Sequence, residues 1–214
     1  MSELLEVIEK IKDKDIKKVL KKIFSDKEIA RKFKYWPAAV SVHHDFRSGL
    51  LQHVLEMLEI SFGLKKYYPE INYDILTAGI ILHDLGKIYE LDATGIVASF
   101  TKEGTLIGHI SKGALVFHDF AKDHLPENTY LHILHLILSH HGVLMYGSPV
   151  VPSSIEAVML SLIDNLSAKS RIAEKAKSKI AKGMEFSPNI SWLENAKIWN
   201  GGESQDFSDQ ISFT

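Results

Sequence analysis

The chain contains no cysteine. Disulfides and thiolate metal sites are therefore excluded, and any bound metal must be held by His, Asp or Glu. No stretch approaches the length needed to span a bilayer. The N-terminus, MSELLEVIEKIKDKD, alternates charge with apolar residues and lacks the continuous apolar segment of a signal peptide. Together these absences fit a cytoplasmic chain, with no membrane partner expected. Net charge is also slight, −2 with a pI near 6.6. That argues against a surface coated in basic residues for nucleic acid, although a local basic groove is compatible with it. No internal repeat is visible.

What is present is an ordinary globular composition, 45% hydrophobic and 24% charged over 214 residues. A chain of this size suits one domain with at most an appendage. Folding can bury roughly 70% of the unfolded surface, so the core needs no covalent staples. Eleven histidines is a high count, and where they fall matters more than their number.

Hydrophobic periodicity predicts an all-α architecture. Leu5, Ile8, Ile11, Ile16, Val19, Leu20 and Ile23 recur at helical spacing, giving one or two amphipathic helices broken near Asp13-Lys14-Asp15. The Lys17, Lys18, Lys21, Lys22 cluster reads as a solvated face, with a phosphate-attracting strip as the alternative. Ser25-Asp26 opens a short helix through Phe33, and a long helix runs from about Phe46 to Leu64. Residues 73–83 are apolar almost all round, so this helix should be central. Residues 89–104 break the pattern, and a short hairpin or extended loop is expected there. Helix returns at about 105–121, 127–141 and 153–182. The domain is expected over 1–182, followed by an irregular C-terminal extension over 183–214. That extension is expected to pack through Phe186, Trp192 and Trp199.

Six residues on these helices suggest one metal site: His53, His83, Asp84, His109, His140 and Asp164. Imidazole and carboxylate are the usual ligands of catalytic transition metals. Adjacent residues on a regular helix point about 100° apart, but His83-Asp84 precedes Gly86, where the helix ends and both side chains can converge. An aspartate so soon after AGIIL needs charge compensation, which a divalent cation supplies. His140-His141-Gly142 repeats the helix-end device. Asp164, after Leu162 and Ile163, is an acid in a strong apolar run and needs a partner. Taken singly, each residue has a plain structural reading: a hydrogen-bonded core histidine for His53, a turn aspartate for Asp84. The ordered set on separate helices is what points to a metal. His132 and His135 lie on other faces of the His140 helix and read as surface or structural residues.

The order H…HD…H…HH…D, with HDLGK at its centre, resembles the HD-domain phosphohydrolase superfamily. The segments PAAVSVHHDFRSGLLQH, AGIILHDLGKIYEL, FTKEGTLIGHI, LILSHHG with YGSP, and LIDNLSAK resemble the HD domain of YhaM-type 3'-5' exoribonucleases. The resemblance implies an HD-type helical bundle. It implies His53, His83, Asp84 and Asp164 around one ion, with Asp84 bridging to a second held by His109 and His140. Lys87 would lie near the scissile phosphate. His141, His44 and Arg47 would contact substrate, and His43 precedes the same helix. The expected cofactors are two divalent transition-metal ions, manganese first, with Fe, Co, Ni or Zn compatible with the ligands. Nuclease members of the family usually carry an N-terminal OB-type domain, whereas this chain opens directly on helices. Two substrate classes stay open: the 3' end of single-stranded RNA or DNA, and a nucleotide or phosphomonoester. A non-catalytic nucleotide-binding module is the alternative of another class.

Overall fold

The computed structural model describes residues 1–39, 47–95 and 98–202. Among these, nine α-helices, two single-turn 3-10 helices and one hairpin with two residues per strand form the secondary structure. The chain divides into two compact units, the first being Met1–Ser167 and the second starting at Ala168.

The first unit opens with α1 (Ser2–Lys10), α2 (Lys14–Ser25) and α3 (Lys27–Tyr35). The break expected near Asp13 is a cap: the Asp13 carboxylate accepts from the Asp15 and Ile16 amides at 2.9 and 3.0 Å, satisfying helix-start donors. Asp26 does the same for α3. Two lysines of the α2 strip are engaged within the protein. Lys17 donates to the Glu9 carbonyl and Lys22 lies 2.8 Å from His124, which favours the solvated-face reading.

The central layer is α4 (Gly49–Leu64) and α5 (Tyr73–Leu82). Every residue of α5 from Ile75 to Leu82 is buried, as its all-round apolar sequence demands. Gly79 lets α8 (Glu127–Ser139) come close, since a Cβ there would run into the Leu136 side chain. The short α6 (Lys87–Glu90) leads into β1 (Leu91–Asp92), which pairs antiparallel with β2 (Ser99–Phe100). The hairpin anticipated over 89–104 is thus present but minimal, and Val97 lies outside the described residues.

α7 (Lys102–Ala121) begins earlier than its periodicity suggests because Thr101 caps it, accepting from the Gly104 amide at 2.8 Å. It is interrupted at Gly108, whose φ of 73° and ψ of 162° are non-helical. α9 (Ile155–Ser178) completes the helices and crosses the division between the units. His132 and His135 join α8 to the approach to α9, His132 through Ser154 and Glu156 and His135 through the Ser153 amide. Within the second unit, residues after α9 form isolated bridges at Phe186–Trp199 and Ile190–Ala196. Phe186, Trp192 and Trp199 are exposed, Phe186 lying opposite Trp199 in its bridge. Among the described residues no helix is long and apolar enough to cross a membrane.

Gly86 is the tightest point of this scaffold. A Cβ there would collide with the His109 carbonyl and the Gly113 amide, and backbone cannot move aside as a side-chain tip can. Gly86→Ala should destabilise the protein by about 1–3 kcal/mol, lowering the thermal midpoint by roughly 2–12 °C. Calorimetry showing an unchanged midpoint would contradict this account of α6–α7 packing.

Candidate metal centre

The end of α5 unwinds so that His83 and Asp84 both point inward. His83 Nδ1–H donates to the Ile80 carbonyl at 2.8 Å, and α8 ends the same way with His140 Nδ1–H on Ile137 at 2.8 Å. A carbonyl only accepts, so in each neutral ring Nδ1 carries the proton and Nε2 keeps a lone pair. His141 is fixed by the Tyr146 carbonyl at 2.7 Å. His109 is fixed by Glu90 Oε1 at 3.0 Å. His53 Nδ1 lies 3.1 Å from Ser167 Oγ, whose own hydrogen is donated to Glu56 Oε1 at 3.1 Å. All five rings thus have Nδ1 engaged, which fixes their orientation in the way that suits metal-binding histidines.

The Nε2 atoms of His53, His83, His109 and His140 converge on Asp84, and its two oxygens divide them. Oδ1 lies 3.6 Å from His109 Nε2 and 3.7 Å from His140 Nε2. Oδ2 lies 3.4 Å from His83 Nε2 and 3.9 Å from His53 Nε2. Asp164 joins the second group, its Oδ1 standing 3.1 Å from His53 Nε2 and 4.0 Å from His83 Nε2. Two sets of donor atoms close enough to share an ion result, His53-His83-Asp84 and His109-His140-His141. Lys87 Nζ donates to Asp84 Oδ2 at 2.6 Å.

Buried polar atoms are normally hydrogen-bonded. Here His83 Nε2, His109 Nε2, His140 Nε2 and Asp84 Oδ1 are buried and lack a hydrogen-bond partner. Such a concentration of unsatisfied acceptors around one carboxylate fits a donor set for cations. Electrostatics agree. Burial would raise the Asp84 carboxyl, but Lys87, His83 and His109 outweigh it and hold the group well below the usual carboxylate range. Burial opposes ionisation of Asp164 too, and is overcome by the hydrogen bond from His53 and by the charge of His83. Burial keeps His140 low, reinforced by His83, so this ring stays neutral. Burial also lowers His141, with His109 adding to it.

A match to the HD domain family model covers residues 50–169, the segment that carries all six of these residues. The chain belongs to the HD domain family. Several curated proteins are similar to this HD-domain chain. The 3'-5' exoribonuclease YhaM of Geobacillus sp. (strain WCH70) is 38% identical over 203 residues, 93% of this chain and 60% of that protein. YhaM of Bacillus subtilis (strain 168) is 36% identical over 200 residues, 93% of this chain and 62% of that protein. YhaM of Oceanobacillus iheyensis is 44% identical over 166 residues, 77% of this chain and 51% of that protein. The chain therefore spans about 60% of the length of the first two. No solved structure matches it significantly.

The HD domain brings His53, His83, Asp84, His109, His140, Asp164, Lys87 and His141 to one place. Asp164 is 18% exposed but directed at His53 rather than solvent. Arg47 is exposed, with its guanidinium over the Tyr35 ring. His43 and His44 lie outside the described residues. Three residues that sequence reasoning passed over support the rings: Glu90, Ser167 and Glu56. Glu90 stands one turn after Lys87 and Ser167 one turn after Asp164, which is the only trace they leave in the sequence.

Lys87 is the cation nearest Asp84, and its ammonium is stabilised in turn: burial disfavours its charge, but Asp84, Asp164 and Glu90 outweigh that and raise its pKa. In metal-free protein Lys87→Ala should cost about 3 kcal/mol, because it strands a buried carboxylate. Saturating divalent metal should close most of the gap to wild type in chemical denaturation. A metal-independent difference, or none, would show that Lys87 does not compensate Asp84.

Proposed function

We propose that this HD domain is a metal-dependent phosphodiesterase that removes nucleotides from the 3' end of single-stranded RNA or DNA, working in the cytoplasm with two divalent ions. The observation that carries the reading is the division of donors by the two oxygens of Asp84, which suits a carboxylate shared between two cations. His53, His83, Asp84 and Asp164 would hold one ion, and Asp84, His109 and His140 the other. Several imidazoles with two carboxylates favour Mn, Fe, Co, Ni or Zn over Mg, which prefers oxygen. Manganese is the activating ion we expect.

When bound, two such ions supply Lewis acidity toward a phosphoryl group and activate water at neutral pH. The protein's part is to orient and to exclude. His53, His83, His140 and Asp84 are sealed from solvent, whereas His109, Lys87 and Asp164 are each partly open. The substrate phosphate therefore approaches over those three side chains. Lys87 meets it as a fixed positive charge, an electrostatic rather than proton-transferring role. His141, beside His109 and His140 with ring centroids 5.2 and 4.4 Å away, is placed to contact a phosphoryl oxygen or the leaving group. His44 and Arg47 are assigned to substrate binding on the family resemblance alone. The nuclease substrate is favoured by the similarity to proteins named 3'-5' exoribonucleases.

Purified protein with manganese should convert a 5'-labelled oligonucleotide into a ladder of shortened products. Turnover confined to a panel of nucleotides and phosphomonoesters would replace the nuclease with the smaller-substrate reading. Asp84→Ala should lose both ions by elemental analysis and lower turnover by roughly a thousandfold or more. Metal-dependent cleavage persisting in that variant would remove the two-ion centre from the reaction.

A further inference from the structure

Glu90 ends α6 and lies outside the six-residue cluster, yet it makes two bonds to one member of it. Its Oε1 accepts from both the backbone N–H and the Nδ1–H of His109, each at 3.0 Å. Both bonds trace to the interruption of α7. Gly108 is non-helical, so His109 begins a new helical run, and the first amides of a helix have no intrahelical acceptor. Glu90 supplies that acceptor from another element and adds negative charge at the positive end of the helix dipole. The same oxygen fixes the His109 tautomer, leaving Nε2 directed at Asp84 Oδ1, 3.6 Å away.

Glu90 is itself held on its other side. Its carbonyl accepts from the Thr101 amide at 2.9 Å, and Gly104 packs against its backbone so closely that a Cβ would overlap it. The carboxylate therefore sits at the end of a rigid support. Burial would raise its pKa, but the bonds from His109 outweigh burial and keep it ionised.

The two halves of the cluster are not equivalent. One has two carboxylates, Asp84 Oδ2 and Asp164 Oδ1, with His53 and His83 wholly buried. Among the described residues the other has the imidazoles of His109, His140 and His141 but only the shared Asp84 Oδ1 as a carboxylate, and its His109 is 14% exposed. Fewer anionic donors and more solvent mean weaker retention of a cation, unless the imidazole ligand is made more basic and held in place.

Resting on the two-ion reading above, we propose that Glu90 is a positioning residue that sets the affinity of the His109-His140 half for its ion. The ion in this half is the more weakly held and is acquired second. Glu90 acts through the His109 ring, by orientation and by negative charge, without contacting the ion or the substrate.

The test is manganese titration of the whole chain by calorimetry, with electron paramagnetic resonance to distinguish paired from isolated Mn(II). Wild type should bind two equivalents in two phases and give an exchange-coupled spectrum. Glu90→Ala should keep the first phase, weaken the second by about 10- to 100-fold, and still show isolated ions at two equivalents, where wild type is coupled. Glu90→Gln keeps an acceptor oxygen without the charge, so its second phase should fall between the two. Melting curves without metal report whether each variant is folded. A Glu90→Ala protein that binds both ions like wild type overturns the proposal. So does one that is folded yet loses both ions together, since the effect would then be general. If wild type binds fewer than two ions, the two-ion reading itself fails.

Discussion

A single buried carboxylate organises this HD domain. Asp84 is taken out of water at the end of a helix whose other residues are almost wholly apolar. An unpaired charge there would not be tolerated, and the cheapest remedy, protonation, is blocked by Lys87 and by the surrounding imidazoles. Helices from four parts of the sequence therefore converge on it: α4 with His53, α5 with His83, α7 with His109 and α8 with His140. The geometry of the fold near the site amounts to arranging donor atoms around the two oxygens of one side chain.

Two devices achieve that convergence. One is the helix end: His83-Asp84 and His140-His141 each sit where the helix unwinds, so successive side chains no longer diverge. Gly142, at φ 81°, supplies the left-handed turn that ends the second. The other is close backbone approach. Gly86 lies against the backbone of His109 and Gly113, which draws α7 down onto the turn that follows Asp84. His109 reaches Asp84 because two glycines act together, Gly86 by having no side chain and Gly108 by breaking the helix just before the histidine.

Much of this was legible in the sequence, and the reasons differ by element. α5 was readable because a segment apolar on all faces has only one place to go. His83-Asp84 and His140-His141 were readable because a glycine follows each pair. Asp164 was readable as an acid in an apolar run. Glu90, Ser167 and Glu56 were not, because their partners lie on other elements, 19 residues away for Glu90–His109 and 114 for His53–Ser167. No periodicity records such a contact. The start of α7 was missed because Thr101 caps it before the hydrophobic pattern begins. The local β-bridges after Gly183, Phe186–Trp199 and Ile190–Ala196, left no periodic trace in the sequence.

The same arrangement that suits a metal centre is unfavourable without one. The Nε2 atoms of His83, His109 and His140 and the Oδ1 of Asp84 are buried together without a hydrogen-bond partner. Each unsatisfied buried polar group costs about 1–3 kcal/mol. Such losses are comparable with the whole stability of a typical domain, roughly 5–15 kcal/mol. The remaining packing must offset them. It also follows that cation binding and folding are thermodynamically linked, since an ion satisfies in the native state atoms that water already satisfies in the unfolded chain. The cluster is thus a local violation of core-packing rules, maintained by the scaffold around it.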